Sequence, residues 1–250
     1  MNRRSIAIIP ARYASVRFPG KVLADLEGKP LIQWVYEKAR ASKADKVIVA
    51  TDDERVMKAV EAFGGHAVMT SPDHPSGSDR ICEAAEKCSC SGNDIIINIQ
   101  GDEPLIPVQV IDELIDRMRQ DATIEMGTVA VPRPREILKN DPNKVKVIFD
   151  AAGYAMYFSR SMIPYLREGG EETEVFHHWG VYSYRYDILK RFVALPESRF
   201  EKCEKLEQLR ALENGIRIFV LTSNLESIGV DTPQDLEEAK IKLRQMLNRR

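Results

Sequence analysis

Hydrophobic and polar positions follow two rhythms along this chain. Ile6, Ala7, Ile8 and Ile9 form a continuous apolar run that Pro10 ends, the pattern of a strand covered on both faces. Lys46–Thr51 repeats it, and Asp94–Pro104 contains the most strongly apolar strand. Between these runs the rhythm is helical. Leu31, Trp34, Val35 and Ala39 follow Pro30 at helical spacing, and Asp52-Asp53 read as the cap of a helix that Gly64-Gly65 ends. His66–Met69 then read as a third short strand. Strand, helix, strand, helix, strand predicts a parallel sheet with right-handed crossovers.

Downstream, the turn-rich stretch Ser71–Arg80 is predicted to be a loop that enters a helix near Ile81. Pro107 opens another helix, and strands are expected at Met126–Val131 and Val145–Phe149. From Tyr154 the order changes. Tyr154–Ser159 and His177–Arg185 look like strands among loops and short helices, so a smaller antiparallel excursion is expected over roughly residues 150–200. One helix is predicted from about Lys202 to Gly215, followed by a strand at Ile216–Leu221. Ser227–Val230 reads as a short strand before a cap and the last helix. The expected fold class is α/β, a mostly parallel sheet with that excursion.

Composition narrows the function. Lys plus Arg number 36 and Asp plus Glu 38, a net charge of −2, so no global field recruits nucleic acid or a membrane surface. No apolar run is long enough to span a bilayer, and the early first strand leads to the expectation of no signal peptide. Of the four cysteines, Cys88 and Cys90 stand too close for the usual paired zinc spacing. Free thiols in a cytoplasmic protein are therefore expected.

The chemistry gathers at strand ends. After the first strand, Arg12, Ser15, Arg17 and Lys21 crowd one loop with Pro19-Gly20. Cations and a glycine leaving the carboxyl end of a buried strand suit a phosphate chain. A Walker A loop is excluded, because it needs glycine where Ser15 stands and Ser or Thr where Val22 stands. Lys21 reads as a phosphate ligand rather than a packing residue, so its loss is expected to leave the free protein nearly as stable. Asp102 and Asp231 follow two different apolar stretches and could share a magnesium ion, although Asp231 reads equally well as the cap of the last helix. The cluster His178, Trp179, Gly180, Tyr182 and Tyr184 shows no zinc spacing. Glu204, Glu207 and Gln208 read by spacing as a solvated helix face. Pattern alone leaves these residues undecided.

Seven ordered blocks then carry a resemblance: IPARYASVRFPGK, ATDD, SGSDR, INIQGDEP, HHWGVYSYR, KLEQLRAL and GVDTPQDL. Together they resemble the 3-deoxy-manno-octulosonate cytidylyltransferases, from Ile6 to the last helix. The resemblance implies a Rossmann-like nucleotide-diphospho-sugar transferase fold, one nucleotidyltransferase domain over 1–250, and a cytoplasmic homodimer that inserts into no membrane. It implies CTP and 3-deoxy-D-manno-octulosonate (Kdo) as substrates, CMP-Kdo and diphosphate as products for lipopolysaccharide assembly, and Mg2+ as cofactor. Carried across, the catalytic residues are Arg12, Lys21 and Asp102. The nucleotide site falls on Arg12, Ser15, Lys21, Ser76, Gly77, Arg80 and Gln100. The sugar site falls on Gln100, His178, Tyr182, Glu207 and Gln208, and the metal on Asp102 and Asp231. Phe18 stands where many members have Leu, and Ser78-Asp79 where many have Thr-Glu. The stretch from Glu168 to Glu174 is shorter than in many relatives. In-line attack of the sugar's anomeric hydroxyl on the α-phosphorus is expected, with metal-assisted loss of its proton. Two alternatives stay open: a cytidylyltransferase for another acidic sugar such as a sialic acid, and a non-catalytic nucleotide-binding protein of the same fold.

Overall fold

A computed structural model describes residues 3–14 and 17–248. β1 (Ser5–Ala11) leads through a loop and a 3-10 turn at Lys21–Leu23 into a ribbon of β2 (Asp25–Leu26) and β3 (Lys29–Pro30). α1 (Leu31–Arg40) begins directly after Pro30. β4 (Lys46–Thr51), α2 (Glu54–Ala62) and β5 (Ala67–Met69) follow, with the Asp53 side chain capping α2 by accepting from the Arg55 N–H. α3 (Gly77–Lys87), β6 (Ile95–Asn98), α4 (Val108–Gln120), β7 (Met126–Arg133) and the short α5 (Arg135–Leu138) come next. β8 (Lys146–Phe149), β9 (Ala155–Ser159) and β10 (Val175–Arg185) form the excursion. α6 (Tyr186–Val193), α7 (Arg199–Glu204), α8 (Gln208–Glu213), β11 (Ile218–Thr222) and α9 (Pro233–Leu247) complete the chain.

Among the described residues, the strands other than the β2–β3 ribbon form one sheet in the order β11-β7-β10-β6-β1-β4-β5, with β8 on β10 and β9 on β8. β1 runs parallel to both β4 and β6, whereas β10 is antiparallel to β6, β7 and β8. Strand alternation splits the core into two layers. Ala7, Ile9, Val47, Val49, Ile95 and Ile97 face α1, α2, α4 and α9, while Ile6, Ile8, Ile48 and Ile96 face α3, α6 and α8. Because both faces are covered, strands β1, β4 and β6 carry unbroken apolar runs.

Three expectations need correction. The helix predicted over Lys202–Gly215 is two helices, because Lys205 adopts left-handed backbone at φ 53, ψ 48. Ser227–Val230 forms no strand; the Val230 N–H instead bonds the Asp102 carbonyl at 2.8 Å. α3 starts at Gly77 rather than near Ile81, so Gly77–Arg80 is its first turn and not a loop. The last difference arises because the Ser76 side chain accepts from the Asp79 N–H and caps the helix early.

Candidate active site

The loop after β1 folds back on itself, with the Gly20 N–H bonding the Tyr13 carbonyl at 2.9 Å. Gly20 sits at φ 71, and a Cβ there would stand 3.0 Å from the Tyr13 ring, so only glycine is accommodated without strain. The turn delivers Lys21, whose Nζ lies 2.5 Å from Asp102 Oδ2 and 2.9 Å from Asp231 Oδ1. Arg17 reaches Asp231 Oδ2 at 2.9 Å. Asp102 is delivered past β1 by Gly101, where a Cβ would stand 2.7 Å from the Pro10 carbonyl. Thr232, not Asp231, caps α9 in a capping box with Asp235. The Asp231 carboxylate is therefore left to the cations.

Burial works against the Lys21 charge, but the two carboxylates outweigh it and hold the ammonium above its ordinary lysine value. Burial likewise opposes ionisation of Asp231, yet Lys21 and Arg17 hold its pKa below the usual carboxylate range. Lys21 is thus part of the resting structure. The expectation that its loss leaves stability unchanged does not fit two ion pairs made by a side chain only 12% exposed.

A cavity of about 290 Å³ opens beside this group, lined by Arg12, Lys21, Ser76, Gly77, Arg80, Gln100 and Asp102. The amino end of α3 borders it through Ser76 and Gly77, a natural position for anionic oxygens. Arg12 donates to the His74 carbonyl. Arg80 is fully buried and committed, bonding Thr70 Oγ1 at 2.5 Å and Asp52 Oδ2 at 2.6 Å. Gln100 donates to the Gly180 carbonyl at 3.0 Å, which ties the end of β6 to the bulged part of β10. Ser15, expected in the phosphate loop, lies outside the described residues.

Among the predicted sugar residues, Gln100 lines the cavity with Lys21, whereas Glu207 Oε1 lies 3.8 Å from the Arg210 guanidinium. His178 and Tyr182 share one face of β10, their rings 5.4 Å apart, and His178 Nε2 lies 3.0 Å from Thr128 Oγ1. Burial pushes the His178 imidazole down to about 3 and the Tyr182 phenol well above its ordinary value. Tyr182 stands opposite Asn98 of β6. Glu207 Oε2 accepts from Ser78 Oγ at 2.9 Å, and burial raises its pKa against that bond. Glu207 Oε1 and Gln208 Nε2 are buried and lack a hydrogen-bond partner. Glu207 also lines a second cavity of about 530 Å³, which shares Pro75 and Ser76 with the first.

Two residues escaped the sequence reading of the site. Arg17 appeared there only as one cation of the loop. Glu103 follows Asp102 directly, accepts from the Ser227 hydroxyl, and is pushed up to about 7 by burial, with Asp102 and Asp231 adding to the shift. The QGDEP stretch itself was the available signal. Among the described residues, no group of three or more His, Cys, Asp or Glu side chains converges as a metal cluster.

A cation-rich loop at the carboxyl end of β1, a helix amino end and a paired carboxylate define a nucleotide-handling α/β protein. Comparison with known proteins narrows the class. The cytidylyltransferase family model matches residues 6–218. A 3-deoxy-manno-octulosonate cytidylyltransferase of Thermodesulfovibrio yellowstonii is 52% identical over 94% of this chain and 96% of its own length. One of Geobacter sulfurreducens is 48% identical over 95% and 98%. A solved structure of CMP:2-keto-3-deoxy-manno-octonic acid synthetase complexed with CTP matches with a TM-score of 0.92 at 43% identity, covering 97% of this chain and 99% of that one. The chain belongs to the cytidylyltransferase family, among the 3-deoxy-manno-octulosonate cytidylyltransferases.

Proposed function

We propose that this chain is a nucleotidyltransferase that joins CTP and Kdo into CMP-Kdo and diphosphate for lipopolysaccharide assembly. The observation that carries the reading is the convergence of Lys21, Asp102 and Asp231 beside the cavity at the ends of β1 and β6. In the reaction the anomeric oxygen of the sugar bonds to the α-phosphorus, the bond to diphosphate breaks in line, and the hydroxyl proton is lost. Arg12 and Lys21 balance the charge that grows on diphosphate. Ser76, Gly77, Gln100 and the Arg80-braced first turn of α3 hold the nucleotide, with Ser15 in the same role. His178 and Tyr182 offer ring and hydroxyl groups to the sugar, and Glu207 Oε1 and Gln208 Nε2 offer an acceptor and a donor without a hydrogen bond of their own.

The donor set suits magnesium. Lys21 already draws Asp102 and Asp231 onto one positive charge, and magnesium prefers one or two carboxylates plus phosphate oxygens and water. Asp102 and Asp231 would hold it. Bound there, it supplies charge neutralisation and Lewis acidity to the phosphate chain. We read the chain as one domain that works as a cytoplasmic homodimer. Exposed Met156 and Tyr165 beside the excursion support association, and no described helix is long and apolar enough to cross a membrane.

Diphosphate release tests the reading. Release is expected from CTP with Kdo, with catalytic efficiency far above that for CTP with a sialic acid or for ATP with Kdo. Equal efficiency with a sialic acid would move the substrate to another acidic sugar. Equal efficiency with ATP would remove the cytosine assignment.

A further inference from the structure

Asp231 belongs to no strand. The stretch between β11 and α9 has no regular structure, yet it must set a carboxylate against Asp102. Beside the cations, hydrogen bonds near its carboxyl end hold it. The Val230 N–H bonds the Asp102 carbonyl at 2.8 Å. Asp235 Oδ2 accepts from the N–H groups of Asp231 and Thr232 at 2.9 and 2.8 Å. The Ser227 hydroxyl is bonded to Glu103 Oε2. Gly229 lies against the other Glu103 oxygen, where a Cβ would stand 3.0 Å from Oε1. Glu103 is therefore gripped from both sides by the stretch that ends in Asp231, and it is covalently next to Asp102.

We propose that Glu103 is a positioning residue: through Ser227 it hooks the β11–α9 stretch to the end of β6 and so fixes the separation of Asp102 and Asp231. This deepens the reading of those two carboxylates as the magnesium pair, and it rests on that reading. The hook matters most when Lys21 leaves the pair for phosphate, because the cation that now bridges the carboxylates is then withdrawn. Glu103 needs only an acceptor oxygen for this role. Its negative charge is not required.

That distinction makes the test. Ser227→Ala and Glu103→Ala are expected to raise the Mg2+ concentration for half-maximal rate about tenfold, the scale typical of groups that orient metal ligands. Turnover at saturating Mg2+ should stay within about threefold of the parent, while the melting temperature shifts little. The double variant should be no worse than either single one, because both remove one contact. Glu103→Gln keeps an acceptor and should behave like the parent. A direct readout is Mn2+ titration by electron paramagnetic resonance, with the protein saturated by a CTP analogue bearing a methylene between the α- and β-phosphates. Mn2+ affinity should fall in Ser227→Ala and be retained in Glu103→Gln. If Glu103→Gln behaves like Glu103→Ala, charge rather than position is at work and the proposal fails. Additive losses in the double variant also overturn it. Asp231→Asn, measured beside them, separates this failure from that of the underlying reading. If Asp231→Asn leaves Mn2+ affinity unchanged, the metal pair itself is wrong and the proposal falls with it. If only Asp231→Asn weakens Mn2+, the pair stands and the hook does not.

Discussion

Two regions border the same cleft and are built on opposite principles. Around Lys21, each charge has a partner: Asp102 and Asp231 bind the ammonium, and Arg17 reaches Asp231. The group is supplied by loops and is partly open to water, with Asp231 at 48% side-chain exposure. Around Glu207, the groups are buried and hydrogen bonding is incomplete: Glu207 Oε1 meets the Arg210 guanidinium at 3.8 Å without a hydrogen bond, and Gln208 Nε2 has no hydrogen-bond partner. A polyphosphate and its cation bring large charges, so a protein can rest with those charges internally balanced and exchange partners on binding. A neutral hydroxyl brings little energy. Its site gains selectivity only if the groups that meet it are already dry and waiting, at a cost of about 1–3 kcal/mol for each unsatisfied group.

The largest effect should come from breaking the balanced side. Asp102→Asn and Asp231→Asn are each expected to lower turnover by two or more orders of magnitude, roughly the scale of a lost electrostatic element in a catalytic site. The fold should survive, since neither side chain packs in the apolar layers. Steady-state rates at saturating Mg2+, with circular dichroism as the folding control, check this. Near-parent turnover would remove that aspartate from the site.

Next comes Lys21→Met. CTP use should fall strongly, and the free protein should also melt lower, because the variant leaves two carboxylates facing each other. At roughly 1–2 kcal/mol for the lost pairing and about 2–4 °C per kcal/mol for a chain of this size, the loss is a few degrees. Added Mg2+ should recover most of it by replacing the ammonium. A melting temperature indifferent to Mg2+ would mean that the carboxylates do not form a cation site.

The unsatisfied side makes a prediction of opposite sign for stability. Gln208→Met keeps the volume and removes a buried donor with no partner. Stability should be unchanged or slightly raised, while the KM for Kdo rises by roughly three- to tenfold, from a lost hydrogen bond of about 0.5–1.5 kcal/mol. The KM for CTP should hardly move. A parallel rise for both substrates would place Gln208 in general support of α3 and α8.

The same contrast decides what was legible in the sequence. β1, β4 and β6 announce themselves as apolar runs because helices cover both sheet faces. Arg12, Lys21 and Asp102 are legible because charge immediately follows such runs. Glu207 and Gln208 are not, because their spacing is that of a solvated helix and their burial is set elsewhere. The Glu207 partner Ser78 lies 129 residues earlier in the chain. The break at Lys205 was hidden for a local reason. Left-handed backbone is usually marked by Gly or Asn, and a lysine gives no such signal. Ser227–Val230 misled because short apolar runs look alike whether they join a ladder or, as here, lean on single bonds to Asp102 and Glu103.

The smallest effect probes the margin of the balanced region. Glu83 holds the stretch before α3: its carboxylate accepts from the Ser71 N–H at 2.9 Å, pairs with Lys87 at 2.7 Å, and contacts His74. The His74 carbonyl in turn accepts from Arg12 of the loop after β1. Burial opposes ionisation of Glu83, but those donors outweigh it and lower its pKa to about 2 from an ordinary 4.5. A carboxyl lowered on folding stabilises the native state above its unfolded pKa, and that contribution is lost as pH falls through the folded value. The parent should therefore lose stability between about pH 4.5 and pH 2 through this group, and Glu83→Gln should show a shallower acid limb in melting temperature against pH. At neutral pH the variant should raise the KM for CTP by less than about threefold, the scale of one weak hydrogen bond acting indirectly through His74 and Arg12. An unchanged acid limb would show that Glu83 is not held ionised by these donors. A CTP effect as large as that of Lys21→Met would mean that Ser71–His74 belongs to the nucleotide site itself rather than to its support.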